Sequence, residues 1–84
     1  MKYLFIKLVV RDGEREYNLR VLHTTNCKNI DFAAIWYVAH FWGIPSYTDK
    51  DLYYHFGGET ATSLYSFEEL TETEYNYLNE FLYG

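Results

Sequence analysis

The sequence predicts a single α+β domain over residues 1–84, with the element order β-β-α-β-β-α. Three observations predict this class: two alternating apolar segments interrupted by glycine turns, a long apolar stretch of helical length, and a helix-capping sequence near the C-terminus. The two glycine turns indicate two β-hairpins. An antiparallel sheet made of these hairpins, with the helices packed on one face, is the α+β arrangement that fits the order.

The first hairpin is predicted over residues 2–23, with Asp12-Gly13 as its two-residue turn. Pairing outward from Arg11 and Glu14 puts alternate side chains of both strands on one face. A slip of one residue would scramble the two faces, so the turn and the apolar pattern support each other. The predicted apolar face consists of Leu4, Ile6, Leu8, Tyr17, Leu19 and Val21.

The central helix is predicted from Asp31 to Trp42, where ten of twelve residues are apolar. Asn29 or Asp31 can cap its start, and Gly43 followed by Pro45 ends it. Helical spacing gives two apolar stripes, and the wider one is assigned to the sheet. The sheet-facing stripe is Ile30, Ala34, Tyr37, Val38 and Phe41, and the outward stripe is Phe32, Ile35, Trp36 and Ala39.

The second hairpin is predicted over residues 51–67 around Gly57-Gly58, after a loop at 45–51. One face would hold Leu52, Tyr54, Phe56, Ala61, Tyr65 and Phe67, and the other Tyr53, His55, Thr60 and Thr62. The final helix starts at Thr71, because Thr71 and Glu74 have the spacing of a capping box. Its packing stripe would be Tyr75, Leu78, Phe81 and Leu82.

Composition favours an interaction surface. Aromatic residues make up 21% of the chain and include ten tyrosines, which is more ring area than the core of an 84-residue domain can cover. The net charge of −5 is concentrated in residues 47–84, where Lys50 is the one base among eight acids. Such a surface suits a basic partner, or it keeps a ring-rich protein in solution. The acids nearest one another are Glu68, Glu69, Glu72 and Glu74.

Catalytic and cofactor motifs are weak. The histidines His23, His40 and His55 fit no metal-ligand spacing, and Cys27 has no predictable base. We therefore expect no enzyme activity, no cofactor and no metal, and a small metal-dependent hydrolase is the least favoured alternative. The basic residues of the first hairpin are offset by Glu14 and Glu16, so direct nucleic-acid binding is not expected.

Membrane insertion and secretion are also not expected. The central apolar stretch would span only about 18 Å as a helix, too short for a bilayer. The N-terminal run MKYLFIKLVV is interrupted by Lys7 and lacks a cleavage site, and a single cysteine cannot form an internal disulfide. These features predict a cytosolic protein.

The plan of the chain resembles small accessory proteins of phages and mobile elements, some of which act as anti-CRISPR or other anti-defence inhibitors. The resemblance lies in the opening hairpin MKYLFIKLVVRDGEREYNLRV, the central helix, the segment YYHFGGE and the ending FEELTETEYNYLNEFL. It implies a stoichiometric inhibitor in the host cytosol that binds a host protein. No individual residue role is carried over.

These observations predict a non-enzymatic protein-binding module whose partner has a basic surface. The predicted contact residues are the outward stripe of the central helix and the four clustered acids: Phe32, Ile35, Trp36, Ala39, Glu68, Glu69, Glu72 and Glu74. The alternative is a homodimer that pairs through the central helix.

Overall fold

A computed structural model describes residues 1–83 and shows a five-stranded antiparallel sheet with two helices. The predicted α+β class is confirmed, with one more strand than expected. The strands are β1 (Lys2–Asp12), β2 (Arg15–Thr25), β3 (Tyr47–Asp49), β4 (Leu52–His55) and β5 (Thr60–Leu70), and the helices are α1 (Ile30–Ala39) and α2 (Glu72–Tyr83). The strand order across the sheet is β2-β1-β5-β4-β3.

The first hairpin has the predicted faces but a different turn. Asp12 pairs with Arg15, so the two-residue loop is Gly13-Glu14 rather than Asp12-Gly13. Gly13 has φ +64 and Glu14 does not have a positive φ, which is the φ pattern of a type II′ turn and not of the predicted type I′. The pairing therefore shifts by two residues, and an even shift leaves every side chain on its predicted face.

The core lies between the sheet and α1. The most deeply buried strand residues alternate along β1, and α1 lies over β1 and β5 with its small residues against them. Tyr17, Leu19 and Val21 of β2 extend this layer at its edge. The core cluster consists of Leu4, Ile6, Leu8, Val10, Ala33, Ala34 and Val38.

Helix α1 starts where the sequence predicts and ends earlier. The Asn29 side chain accepts a hydrogen bond from the backbone N–H of Phe32 at 3.1 Å, so Asn29 is the N-cap. The helix ends at Ala39, not at Trp42. Past this end the backbone N–H of Phe41 donates to the Val38 carbonyl, an i→i−3 bond of 3.3 Å that tightens the last turn, and the same carbonyl also accepts the Thr62 hydroxyl at 2.9 Å.

Strand β3 was predicted as part of a loop. It pairs with β4 around a two-residue turn, Lys50-Asp51, with Asp49 opposite Leu52. Lys50 takes a positive φ of 57, a conformation that turns usually give to Gly or Asn. The turn thus lacks the residues by which a hairpin is recognised in a sequence.

The second hairpin is confirmed in part. Tyr54 lies opposite Ala61 and Tyr53 opposite Thr62, as predicted. Further along β5, however, Leu64 pairs with Leu8 and Ser66 with Lys7, so Tyr65 is an extra residue in a β-bulge. The predicted face of Phe67 is therefore wrong: Phe67 lies opposite Ile6 on the α1 side, and the bulge lets both Leu64 and Phe67 reach the core.

The prediction that both helices pack on one face of the sheet is wrong, because helix α2 packs on the face opposite α1. Its Tyr75 ring lies 5.0 Å from the ring of Tyr3, a residue on the face of β1 opposite the core. The capping box is confirmed, since Thr71 and Glu74 exchange hydrogen bonds of 2.9 and 3.1 Å. The predicted packing stripe is wrong beyond its first half, because Phe81 is 77% exposed and Leu82 is also exposed. Only the beginning of α2 packs on the sheet.

Candidate functional site

The outer face of α1 presents three large apolar side chains on consecutive turns. Phe32, Ile35 and Trp36 are 59, 43 and 51% exposed, as the helical spacing predicts. Together they expose roughly 300 Å² of side chain, given that a ring buries 150–250 Å² when fully covered. That area is at the lower end of the about 300–600 Å² of the largest apolar patch on a typical monomer, and such patches are often functional. We call these three residues the α1 ring face.

Trp36 is held in place by His40. The two rings stack with centroids 4.3 Å apart, and the planes differ by 18°. The Nδ1 of His40 lies 3.0 Å from the Trp36 carbonyl, and since a carbonyl only accepts, Nδ1 carries the proton and donates. The indole is thus pre-oriented before any contact, which lowers the entropy cost of binding through it.

Ala39 does not belong to this surface. It was predicted on the outward stripe, but it is only 6% exposed. A single methyl group does not extend past its larger neighbours on the helix, so it is covered where they are not. The contact surface predicted on α1 therefore contains three of its four residues.

A cleft of about 350 Å³ adjoins the α1 ring face, between α1 and the end of β2. Phe32 and Trp36 form one wall, and His23 and Cys27 are on the other. The backbone N–H of Cys27 donates to the Thr25 hydroxyl, and its thiol donates to the Asn29 carbonyl, so this cysteine helps to shape the connection into α1. The cleft could receive one side chain of a partner beside Trp36.

The four predicted acidic contacts are dispersed. Glu69 forms an ion pair with Lys2 at 3.3 Å, and Glu74 accepts the capping hydrogen bond from Thr71. Glu68 lies on the sheet face opposite α1, across from Phe5, and Glu72 is exposed in the first turn of α2. The structure thus does not bring these carboxylates next to the α1 ring face, and their field would act on a partner at longer range.

A second apolar group, absent from the sequence-based prediction, lies past the end of α1. Trp42 and Phe56 are both exposed, with ring centroids 6.4 Å apart, and Ile44 is exposed beside them in sequence. Phe56 comes into position because it adopts a positive φ of 54 in the short 3-10 turn Phe56–Gly58. A bulky residue in that conformation was not predictable from the Gly57-Gly58 signal.

The histidines lie in three different settings. His55 is 1% exposed and neither ring nitrogen has a hydrogen-bond partner, and burial together with the charge of His40 lowers its pKa. The ring of His23 lies 4.6 Å from that of Tyr37, tilted by 44°, and burial lowers the pKa of His23 as well. Among residues 1–83, no three His, Cys, Asp or Glu side chains are grouped so that they could hold a metal ion.

Within the same described residues, no helix is both long and apolar enough to cross a membrane. No protein-family model matches the sequence, and comparisons with curated proteins and with solved structures find no match either.

Proposed function

We propose that this chain is a small, acidic, non-enzymatic protein-binding module that captures its partner through the α1 ring face. The observation that carries the proposal is the exposure of Phe32, Ile35 and Trp36 on one side of a helix whose other side packs on the core. Rings that become desolvated at the centre of an interface supply most of its binding energy. Trp36, already oriented by His40, is the principal anchor.

A partner with a basic surface fits the charge of the chain. The net charge is −5, and the exposed Glu68 and Glu72 belong to its acidic C-terminal half. The negative electrostatic potential of these acids accelerates association with a basic protein and makes the association sensitive to salt. The ring face supplies less than half of the about 800 Å² that each partner buries in a standard interface, so surrounding residues must form the rim.

The resemblance in plan to phage accessory proteins supports one class of partner to test first, a host defence protein such as a CRISPR effector in the cytosol. In this proposal the chain acts stoichiometrically, by occupying a surface that the host protein needs.

Capture of partners from a host lysate tests the proposal with two matched variants. Trp36→Ala removes the anchor, and Tyr77→Ala removes another aromatic ring, 70% exposed on α2. We expect Trp36→Ala to lose the captured protein, Tyr77→Ala to retain it, and both to keep the circular dichroism of the wild type. Capture that is equal for both variants, or unfolding of Trp36→Ala, would contradict the proposal.

Pairing of two copies through α1 is the second candidate. One observation favours it: Asp31 is the single charged residue within α1, so two copies of a chain with net charge −5 could meet there with little repulsion. In that case the dimer dissociates in the Trp36→Ala variant, and a measurement of mass in dilute solution distinguishes the two candidates.

A further inference from the structure

The two edges of the sheet differ in how they are protected. The β3 edge is three residues long and is followed by Lys50 and Asp51 in its turn. Short, charged edges are a common protection against pairing with another chain. The β2 edge is eleven residues long, contains no proline and pairs with β1 without a bulge. Its outer side has no strand beside it within the described part of the chain.

The outward hydrogen-bonding groups of β2 follow from its turn. Asp12 and Arg15 close a two-residue hairpin loop, so they form a hydrogen-bonded pair. Because such pairs alternate along an antiparallel ladder, odd-numbered residues of β2 bond to β1 and even-numbered ones direct their N–H and C=O groups outward. The outward set is Glu16, Asn18, Arg20, Leu22 and Thr24.

A second copy of β2 fits this edge in one register. With Asn18 opposite Asn18 of the other copy, Glu16 of each copy lies opposite Arg20 of the other. On the face away from α1, each Glu16, which also pairs with Arg11 of its own chain at 3.7 Å, then forms a second ion pair with Arg20 of the other copy. On the α1 side, Tyr17 lies opposite Leu19 twice, and both are half-buried core-edge residues. Aromatic–aliphatic pairs and opposite charges directly across from one another stabilise a sheet.

Neighbouring two-fold registers are less favourable. If the two-fold axis passed through Arg20 or Glu16, that residue would face its own copy and like charges would lie opposite each other. An axis through Leu19 would leave Glu16 opposite Leu22. A centre at Tyr17 would shorten the overlap to five strand residues and bring Glu14 of the turn opposite Arg20. The register centred on Asn18 overlaps residues 15–21 and leaves the connection 26–29 into α1 clear of the other copy.

We propose that β2 is a homodimerisation edge, and that two copies join antiparallel about Asn18 into one continuous ten-stranded sheet. The interaction uses none of the residues of the α1 ring face. The proposal depends on the edge geometry and on the charge order Glu16–Arg20, so charge exchange tests it directly.

The experiment measures mass by sedimentation or light scattering over a range of protein concentrations. We expect a species of twice the 10.1 kDa chain mass for the wild type. Glu16→Arg and Arg20→Glu each place two like-charge pairs across the edge, and each raises the dissociation constant roughly tenfold to a hundredfold. The double variant Glu16→Arg/Arg20→Glu restores the dimer, and an equimolar mixture of the two single variants forms a heterodimer.

Glu14→Arg is the matched control, because it changes the net charge as much as Glu16→Arg does but lies opposite Leu22 in this register. We expect it to dimerise like the wild type. The proposal is overturned by a monomeric wild type at every concentration, by single variants that dimerise normally, or by a double variant that stays monomeric. A dimer that survives Arg20→Glu and is lost in Trp36→Ala would assign the contact to α1 and also overturn it.

Discussion

Replacing His55 by leucine should stabilise this protein. The imidazole is almost completely buried, and neither nitrogen has a hydrogen-bond partner. A buried polar group without a partner costs about 1–3 kcal/mol, whereas an apolar side chain of similar volume carries no such cost. We therefore expect His55→Leu to raise the free energy of unfolding by about 1–2 kcal/mol. For a domain of this size, each kcal/mol corresponds to about 4–8 °C in Tm.

The pH dependence of stability supplies an independent readout. Burial, followed by the charge of His40, lowers the pKa of His55 in the folded protein below the ordinary value of 6.5. The unfolded chain therefore takes up a proton at a higher pH than the folded chain does. The stability is complete above pH 6.5 and decreases as the pH falls from there to the folded-state pKa. His55→Leu removes this part of the decrease.

Urea titrations above and below pH 6.5 measure both effects. His23, whose pKa is also lowered by burial, supplies a decrease of the same sign that remains in the variant. His40→Gln is the control: it removes the second cause of the shift at His55 and leaves that ring buried, so it should flatten the pH profile only slightly. A His55→Leu protein that is less stable than wild type, with an unchanged pH profile, would refute the reasoning and show that the ring nitrogens are satisfied in the folded state.

Three further substitutions, with Ile35→Leu as a control, probe the packing of α1 and the capping of α2, and calorimetry or urea unfolding checks each. Ala34→Leu should destabilise by about 1–3 kcal/mol or more, because Ala34 is fully buried between α1 and the sheet, while Ile35→Leu on the exposed side should be nearly neutral. Thr62→Val should cost about 1 kcal/mol, because it removes the bond to the Val38 carbonyl. Thr71→Ala should cost about 1 kcal/mol through loss of the α2 cap, and hydrogen exchange should then be faster in the first turn of that helix.

The face assignments in the first hairpin could be predicted because side chains alternate between the two faces of a strand. An error of two residues in the pairing of β1 with β2 therefore leaves every side chain on its predicted face. Leu4, Ile6 and Leu8 are buried as expected, although the turn is one residue later than predicted. The bulge at Tyr65 could not be predicted in this way. It depends on Leu64 and Phe67 both reaching a core whose position is set by β1 and α1, and no local pattern in β5 marks it.

The candidate site was predictable to the extent that helical spacing defines a face. Phe32, Ile35 and Trp36 follow from that spacing, and only the choice of which stripe points outward remained open. Ala39 was misplaced because a small side chain reveals little about exposure. The position of Trp42 depended on where α1 ends, and the chain near that end also contacts Thr62, whose hydroxyl bonds the Val38 carbonyl from 24 residues away in sequence. Tertiary contacts of this kind are not encoded in the local pattern.

The two proposals together give the molecule a bivalent form. A two-fold axis through Asn18 is perpendicular to the sheet, because Tyr17 and Leu19, both on the α1 side, lie opposite each other. Both α1 helices therefore lie on the same side of the joined sheet.

Each α1 packs over β1 and β5, and neighbouring strands are about 4.8 Å apart, so the two helices would be roughly 15–24 Å apart. Helices about 10 Å in diameter fit side by side at that distance without a clash. A partner with two sites at this spacing would be bound with avidity, and the Arg20→Glu variant, which keeps an intact Trp36, would lose the avidity while retaining the single-site affinity.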